Sequence, residues 1–265
     1  MITHNIIDGK ESVKAVLELQ DETKLAHIAK NSTNRLIRIA AISKLTDQSV
    51  LAGIAKKDKD SSIRKKAIKT LTDQSILFDI AKNANDFTDR EEAVGKLTDQ
   101  NDLLNITKNE FCYFVGLAAV KKLNDQNDLA DVAKNGRKVK VRIAAAQRLT
   151  DQNLAEEVYA DIAKGTCHDW KDNLLAVKNL TIQSVLVDVA KNNEDNDVRI
   201  AAIEKLTDQD ILDEIAKIEK KGLVCNAICR RKEELIREEE FLKKYPKGSE
   251  VYEIRNSVPF AFWKF

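Results

Sequence analysis

A chain of 265 residues with 44 basic and 43 acidic side chains has a formal net charge of +1, so no global basic excess marks it as a dedicated nucleic-acid binder. Charged residues make up 33% and hydrophobic ones 43%, a balance suited to a folded protein with much wetted surface. Four cysteines, no leader-like start and no apolar run of membrane-spanning length set the expectation of a cytoplasmic protein in a reducing compartment, away from membranes.

The first nine residues are short and polar, and Glu11 to Leu19 reads as the lone second helix of a half-repeat, so residues 1–19 are expected to cap the N-terminal end. From there one phrase organises the chain. Leu-Thr-Asp-Gln starts at Leu45, Leu71, Leu97, Leu149 and Leu206, with variants at Leu19, Leu123 and Leu180. The steps from Leu19 to Leu149 are 26 residues each, followed by one of 31 and one of 26. A fixed period of this size marks a stack of supersecondary units, none of which buries its apolar face alone.

Inside one period, Leu51, Ile54 and Ala55 have the i, i+3, i+4 spacing of a helix with one buried stripe. The polar turn Lys57 to Asp60 follows, and Ser61 or Ser62 can cap a second helix whose apolar positions are Ile63, Ala67, Ile68 and Leu71. Proline occurs only at Pro246 and Pro259, so none interrupts the helices before them. Alanines on the second helices, such as Ala40, Ala41, Ala118 and Ala119, permit close helix approach. The expected fold is all-α: a right-handed α-α superhelical solenoid of about eight 26-residue two-helix repeats across residues 20–217.

The strings Val141-Arg142-Ile143-Ala144-Ala145-Ala146 and Val198-Arg199-Ile200-Ala201-Ala202-Ile203, each behind a polar turn, resemble HEAT-like repeats of the phycobilisome-lyase type. Leu77-Phe78-Asp79-Ile80-Ala81-Lys82 with its following turn is also similar to the leucine-rich-variant repeat. The resemblance spans residues 11–217 and implies a superhelical scaffold with a concave face, which such families use for protein binding, DNA binding or cofactor handling. No cysteine precedes Cys112, so the iron–sulfur cluster of some leucine-rich-variant proteins is not carried over.

Polar residues recur in columns. Aspartates at 21, 47, 73, 99, 125, 151 and 208 stand at first-helix starts, and lysines at 30, 56, 82, 108, 134, 164, 191 and 217 stand at their ends, the charge order that the helix dipole favours. The same lysines could instead form a phosphate ladder. Arg38, Arg64, Arg90, Arg142 and Arg199 open the second helices and are expected to pair with turn or cap acids of a neighbouring repeat; Gly116 and Asn173 replace them in two units. Lys44, Lys96, Lys122, Arg148 and Lys205, just before the closing leucine, are expected to project toward solvent and are the alternative phosphate-binding set. The glutamines at 48, 74, 100, 126, 152, 183 and 209 fit either an exposed first-turn position or an inter-repeat hydrogen-bond ladder.

Departures from the consensus point to partners. Phe111-Cys112-Tyr113-Phe114 replaces a polar turn, and with Phe87 and the later Cys167 to Trp170 segment it could form an aromatic strip along one edge, or these residues could pack under the extra turn or the tail. The unit from Thr150 to Leu180 is five residues longer than its neighbours, with four extra residues between Asp151 and Lys164, and continues into Cys167-His168-Asp169-Trp170. Adjacency of Cys167 and His168 is a poor sign of catalysis, since nucleophile and base usually come from distant segments. Cys225 and Cys229, one helical turn apart, fit buried thiols better than a metal site. No Gly-rich phosphate loop is present, and no cofactor, metal or catalytic residue is expected.

Beyond Lys217 the pattern breaks. Residues 218–244 read as a capping helix and 245–265 as a tail crowded with Tyr252, Phe260, Phe262, Trp263 and Phe265, which either folds back or docks on a partner. The expected function is a monomeric, non-enzymatic protein-interaction scaffold using Phe111, Tyr113, Phe114, His168, Trp170, Phe262 and Trp263. The alternative is nucleic-acid backbone binding along the basic columns.

Overall fold

The computed structural model describes residues 10–165, 169–219, 222–249 and 251–253, all of them in helices, turns or connecting segments, with no strand. They fall into two units, the first ending at Gln152 and the second beginning at Asn153.

In the first unit, α1 (Lys10–Glu18) precedes five helical hairpins: α2 (Glu22–Asn31) with α3 (Arg35–Lys44), α4 (Gln48–Lys57) with α5 (Ser61–Thr70), α6 (Gln74–Asn83) with α7 (Phe87–Lys96), α8 (Gln100–Asn109) with α9 (Tyr113–Val120), and α10 (Gln126–Asn135) with α11 (Val139–Ala146). The second helices stack in one row, α1 on α3 and onward to α11, while the first helices from α4 to α10 form a parallel row. The N-terminal helix α1 thus lies against the second-helix row.

Helices of ten residues are marginal alone, so the hairpins depend on what they bury and on how their ends are satisfied. Leu51, Ile54 and Ala55 of α4 are buried, and so are Ile63, Ala67 and Ile68 of α5. The closing leucines Leu45, Leu71, Leu97, Leu123 and Leu149 are buried as well, each contributing about 1.5–3 kcal/mol relative to exposure. Asp47 and Asp73 each accept two first-turn N–H groups, and Asp21, Asp99 and Asp125 cap their helices likewise, an arrangement worth about 1 kcal/mol per helix.

The second unit contains α12 (Gln152–Lys164), which starts at the boundary, then α13 (Trp170–Asn179), α14 (Gln183–Asn192), α15 (Asn196–Ile203), α16 (Gln209–Ile218) and α17 (Leu223–Lys244). Helices α14 and α15 form a hairpin, α15 packs between α13 and α17, and α16 packs on α17. Gly222, at φ +101°, takes the chain through a left-handed residue into α17, a conformation that glycine adopts without steric penalty. The 22-residue α17 lays only Val224, Ala227 and Ile228 into the core.

The long repeat is accommodated at the start of α12. This helix has 13 residues where the other first helices have ten. Glu156, not Gln152, lies eight positions before the lysine at the helix end, the offset that Gln48 keeps from Lys56. The added turn therefore precedes Glu156, and the remaining helix keeps its register.

Candidate protein-interaction surface

The polar columns connect each repeat to the next. Gln48, Gln74, Gln100 and Gln126 accept through Oε1 from the backbone N–H of Thr72, Thr98, Asn124 and Thr150 at 2.8–3.0 Å. Through Nε2, Gln74, Gln100 and Gln126 donate to the carbonyls of Lys96, Lys122 and Arg148. Gln183 does the same in the second unit with Thr207 and Lys205. Gln48, Gln74, Gln100, Gln126 and Gln183 thus form inter-repeat ladders, whereas Gln152 donates to the nearby Leu149 carbonyl. Glu22 takes the acceptor role toward Thr46, and Glu156 takes it toward Thr181.

Four of the eight lysines at first-helix ends reach acids of the following first helix: Lys56 to Asp79 at 2.5 Å, Lys108 to Asp131, Lys164 to Asp188 at 2.7 Å and Lys191 to Glu214 at 3.1 Å. These cations hold the Asp79, Asp131 and Asp188 carboxyls below the usual aspartate range, with help from Asn83, Asn135 and Asn192. The arginine column joins its neighbour too, Arg38 to Asp58, Arg90 to Glu110 and Arg199 to Glu219. Three of these arginines also donate Nε to a carbonyl nine residues back, Arg38 to Ala29, Arg142 to Ala133 and Arg199 to Ala190.

The set expected to face solvent is turned onto backbone instead. Lys44 donates to the Leu17 carbonyl, Lys96 to Lys69 and Leu71, Lys122 to Gly95, and Arg148 to Val120. Lys205 donates to Val177 and Lys178 at 3.2 and 2.7 Å. Each serves the last carbonyls of the preceding second helix, which have no intrahelical donor and carry the negative end of the dipole. Burial lowers the pKa of Lys96 and of Lys205 accordingly.

Two clefts open between successive repeats in the first unit. One, of about 370 Å³, is lined by Lys56, Arg64, Asp79, Asn83, Asp86 and Asp89; the other, of about 350 Å³, by Lys82, Arg90, Asn105, Asn109, Glu110 and Phe111. Asp89 occupies a position that holds Ile37, Ile63, Val115 and Val141 elsewhere, and it is 2% exposed. Its Oδ2 accepts from Arg64 Nε at 2.5 Å while its buried Oδ1 has no partner. The cause lies in the repeat itself. Arg38, Arg90 and Arg199 find an acid 20 residues on, but 20 residues after Arg64 stands Ala84, so Asp86 at the cap of α7 and Asp89 within it supply the carboxylates.

The strongest departures meet on α7, α9 and α11. Phe87 and Phe114 stack with ring centroids 5.9 Å apart, and Tyr113 lies 4.1 Å from Phe114. Lys140 Nζ sits 4.5 Å above the Tyr113 ring, and the Arg137 guanidinium 3.7 Å from the Phe111 centroid. Phe87, Phe111 and Phe114 remain 42%, 65% and 46% exposed, so the rings form an outer strip rather than core. Beneath it, glycine replaces both members of the usual ion pair: Gly116 stands for the arginine and Gly136, 20 residues on, for the acid. A Cβ on Gly116 would meet Val141 Cγ2 at 2.8 Å, so the glycine lets α9 and α11 close up. The capping acids are gone as well. Asn34, Asp60 and Asp86 cap α3, α5 and α7, whereas Cys112 and Lys138, ahead of α9 and α11, make no side-chain cap bond.

Phe111, Tyr113 and Phe114 are thus brought together with Phe87. Trp170 belongs to the second unit, where it opens α13 behind the cap Asp169, 39% exposed, with Lys171 Nζ 5.7 Å from its ring. His168, Phe262 and Trp263 lie outside the described residues. Asn173, in the arginine column, is buried and donates to the Gly165 carbonyl at 2.9 Å. Among the described residues no three His, Cys, Asp or Glu side chains converge as metal ligands, and no helix is long and apolar enough to cross a membrane.

No protein-family model and no curated protein matches the chain. The all-helical architecture with consecutive packed pairs is that of a helical repeat protein.

Proposed function

We propose that this chain is a non-enzymatic protein-interaction scaffold, a right-handed HEAT-like solenoid of about eight repeats working as a cytoplasmic monomer. Its main contact in the first unit is the edge formed by Phe87, Phe111, Tyr113 and Phe114. The observation that carries the reading is the exposed ring stack in a first unit whose buried apolar side chains are Leu, Ile, Val and Ala. Aromatic side chains combine large apolar area with few rotatable bonds and dominate interface energetics. Trp170 is proposed as a separate contact on the second unit.

The alternative, a nucleic-acid track along Lys44, Lys96, Lys122, Arg148 and Lys205, has less support, because those cations are engaged with backbone carbonyls. The test is affinity capture with tagged protein from lysate of its source cells, with and without nuclease, beside a variant carrying Phe111→Ala, Tyr113→Ala and Phe114→Ala. Protein partners that survive nuclease and are lost from the variant support the scaffold. Capture that disappears with nuclease supports the alternative, and partners retained by the variant refute the assigned edge.

A further inference from the structure

Resting on the reading of the α7, α9 and α11 edge as a docking surface, we infer that its occupant is a short acidic protein segment bearing at least one large apolar side chain. The apolar part would lie on the Phe87, Tyr113 and Phe114 rings and the carboxylates at the start of α11.

Charge decides the polarity of the occupant. From Gly136 to Arg142 the chain reads Gly-Arg-Lys-Val-Lys-Val-Arg, four cations in seven residues with no acid. In the first three hairpins of the first unit, the segment leading into the second helix carries an acid or amide cap, Asn34, Asp60 and Asp86, and in the fourth the uncharged Cys112 stands there. Here Lys138 stands in that place and makes no cap bond, so cationic side chains and the positive end of the helix dipole coincide where α5 and α7 have the carboxylates of Asp60 and Asp86. At the preceding arginine position the usual ion pair is missing, because Gly116 and Gly136 replace both its members. Arg142 directs Nε to the Ala133 carbonyl, Arg137 covers Phe111 and Lys140 covers Tyr113. The cations therefore border the rings directly, and one ligand can touch both.

The extent of the patch separates a peptide from a polynucleotide. On the three preceding repeats the same turns carry Asp58, Asp60, Asp86 and Glu110, with Asp58, Asp86 and Glu110 held by Arg38, Arg64 and Arg90, so the acid-free basic turn does not continue onto them. A polyphosphate continuing along the edge would meet those carboxylates, whereas a segment with a few acids beside an apolar anchor matches the order cations, rings, acids found along the unit.

The test measures fluorescence anisotropy of the full chain with labelled peptides that combine an Asp/Glu cluster with Leu, Phe or Trp, with the same peptides carrying Lys for each acid, and with labelled oligo(dT). The informative variant is Lys138→Asp, which restores the array's own cap chemistry and so should fold at least as well as the parent. Saturable binding of the acidic peptides, absent for their lysine versions and weakened roughly tenfold or more by Lys138→Asp, is the expected result. Equal binding of acidic and lysine peptides, or no effect of Lys138→Asp, overturns the acidic assignment. Tighter binding of oligo(dT), lost in the same variant, overturns it in favour of a nucleic acid. If acidic peptides fail while the ring variant still loses its captured partner, the docking edge stands and only the acidic assignment falls.

Discussion

Gln74 holds two repeats at once: its Oε1 accepts the Thr98 N–H at 2.9 Å and its Nε2 donates to the Lys96 carbonyl at 3.4 Å. The amide sits across the junction where α7 ends, and it satisfies a donor and an acceptor that no intrahelical bond reaches. Replacing Gln74 with Ala should therefore cost about 1–2 kcal/mol in urea unfolding. Gln74→Glu should cost less, because Glu22 and Glu156 already fill the acceptor half of this role elsewhere in the chain. Equal losses for the two variants would show that the Thr98 bond contributes nothing.

Arg64 and Asp89 form a partly buried pair whose members are not equivalent. Removing Arg64 as Arg64→Met leaves a buried carboxylate uncompensated and should destabilise by about 3 kcal/mol. Asp89→Val restores the apolar residue type of the other repeats and leaves Arg64 with Asp86 and the Asp58 carbonyl, so its effect should stay within about 1 kcal/mol. The double variant should recover most of what Arg64→Met loses. A double-variant loss equal to the sum of the two single losses would rule out the pairing as the cause.

Gly116→Ala places a methyl where Val141 Cγ2 already stands. We expect destabilisation of about 1–3 kcal/mol, with Val141→Ala relieving part of it, so that the double variant loses less than the sum. Additive losses would mean that α9 and α11 separate freely to admit the methyl.

Acid should loosen the array in a defined direction. The carboxyls of Asp47, Asp73, Asp79, Asp131 and Asp188 are held below their ordinary range in the folded chain, by the Ser49 and Ser75 hydroxyls and then the capping N–H groups in the first two, and mainly by lysine partners in the others. A depressed folded pKa stabilises fully above the unfolded value of about 3.9 and is lost as pH falls through the folded values. Urea midpoints should thus hold steady down to about pH 5 and fall below about pH 4, and Asp79→Asn should flatten part of that fall. A midpoint that rises on acidification would contradict the assignment.

Much of the hairpin architecture was readable because it depends on local spacing. Leu51, Ile54 and Ala55 declare a buried stripe, and an aspartate two or three positions before free N–H groups declares a cap. The arginine pairing was expected from the likeness to other two-helix repeats, and Arg38, Arg90 and Arg199 do meet acids of the neighbouring repeat. What escaped was the engagement of the lysines and Arg148 before the closing leucines with distant backbone carbonyls. Lys96 looks like a solvent-facing cation in a string of letters, because the carbonyls of Lys69 and Leu71 have no letter of their own. The glutamine column stayed ambiguous for the same reason. Asp89 could have been found by comparing it with Ile63 and Val115 and noticing that Ala84 lacks the usual acid. The aromatic edge was visible as a departure from consensus, but its stacking with Phe87 and the cations over Phe111 and Tyr113 required coordinates.

The inter-repeat bonds of Gln48, Gln74, Gln100, Gln126 and Gln183 all span the same 24 residues to the backbone N–H they hold. Assembly is thus written as offsets rather than as addresses, and such a code is indifferent to how many copies it governs. A whole period can be gained or lost in replication without orphaning the ladder: deleting residues 73–98 would even place Glu110 20 positions after Arg64. A single added helical turn has no such immunity, and α12 shows how one is absorbed, by handing the glutamine's task to Glu156 one turn later.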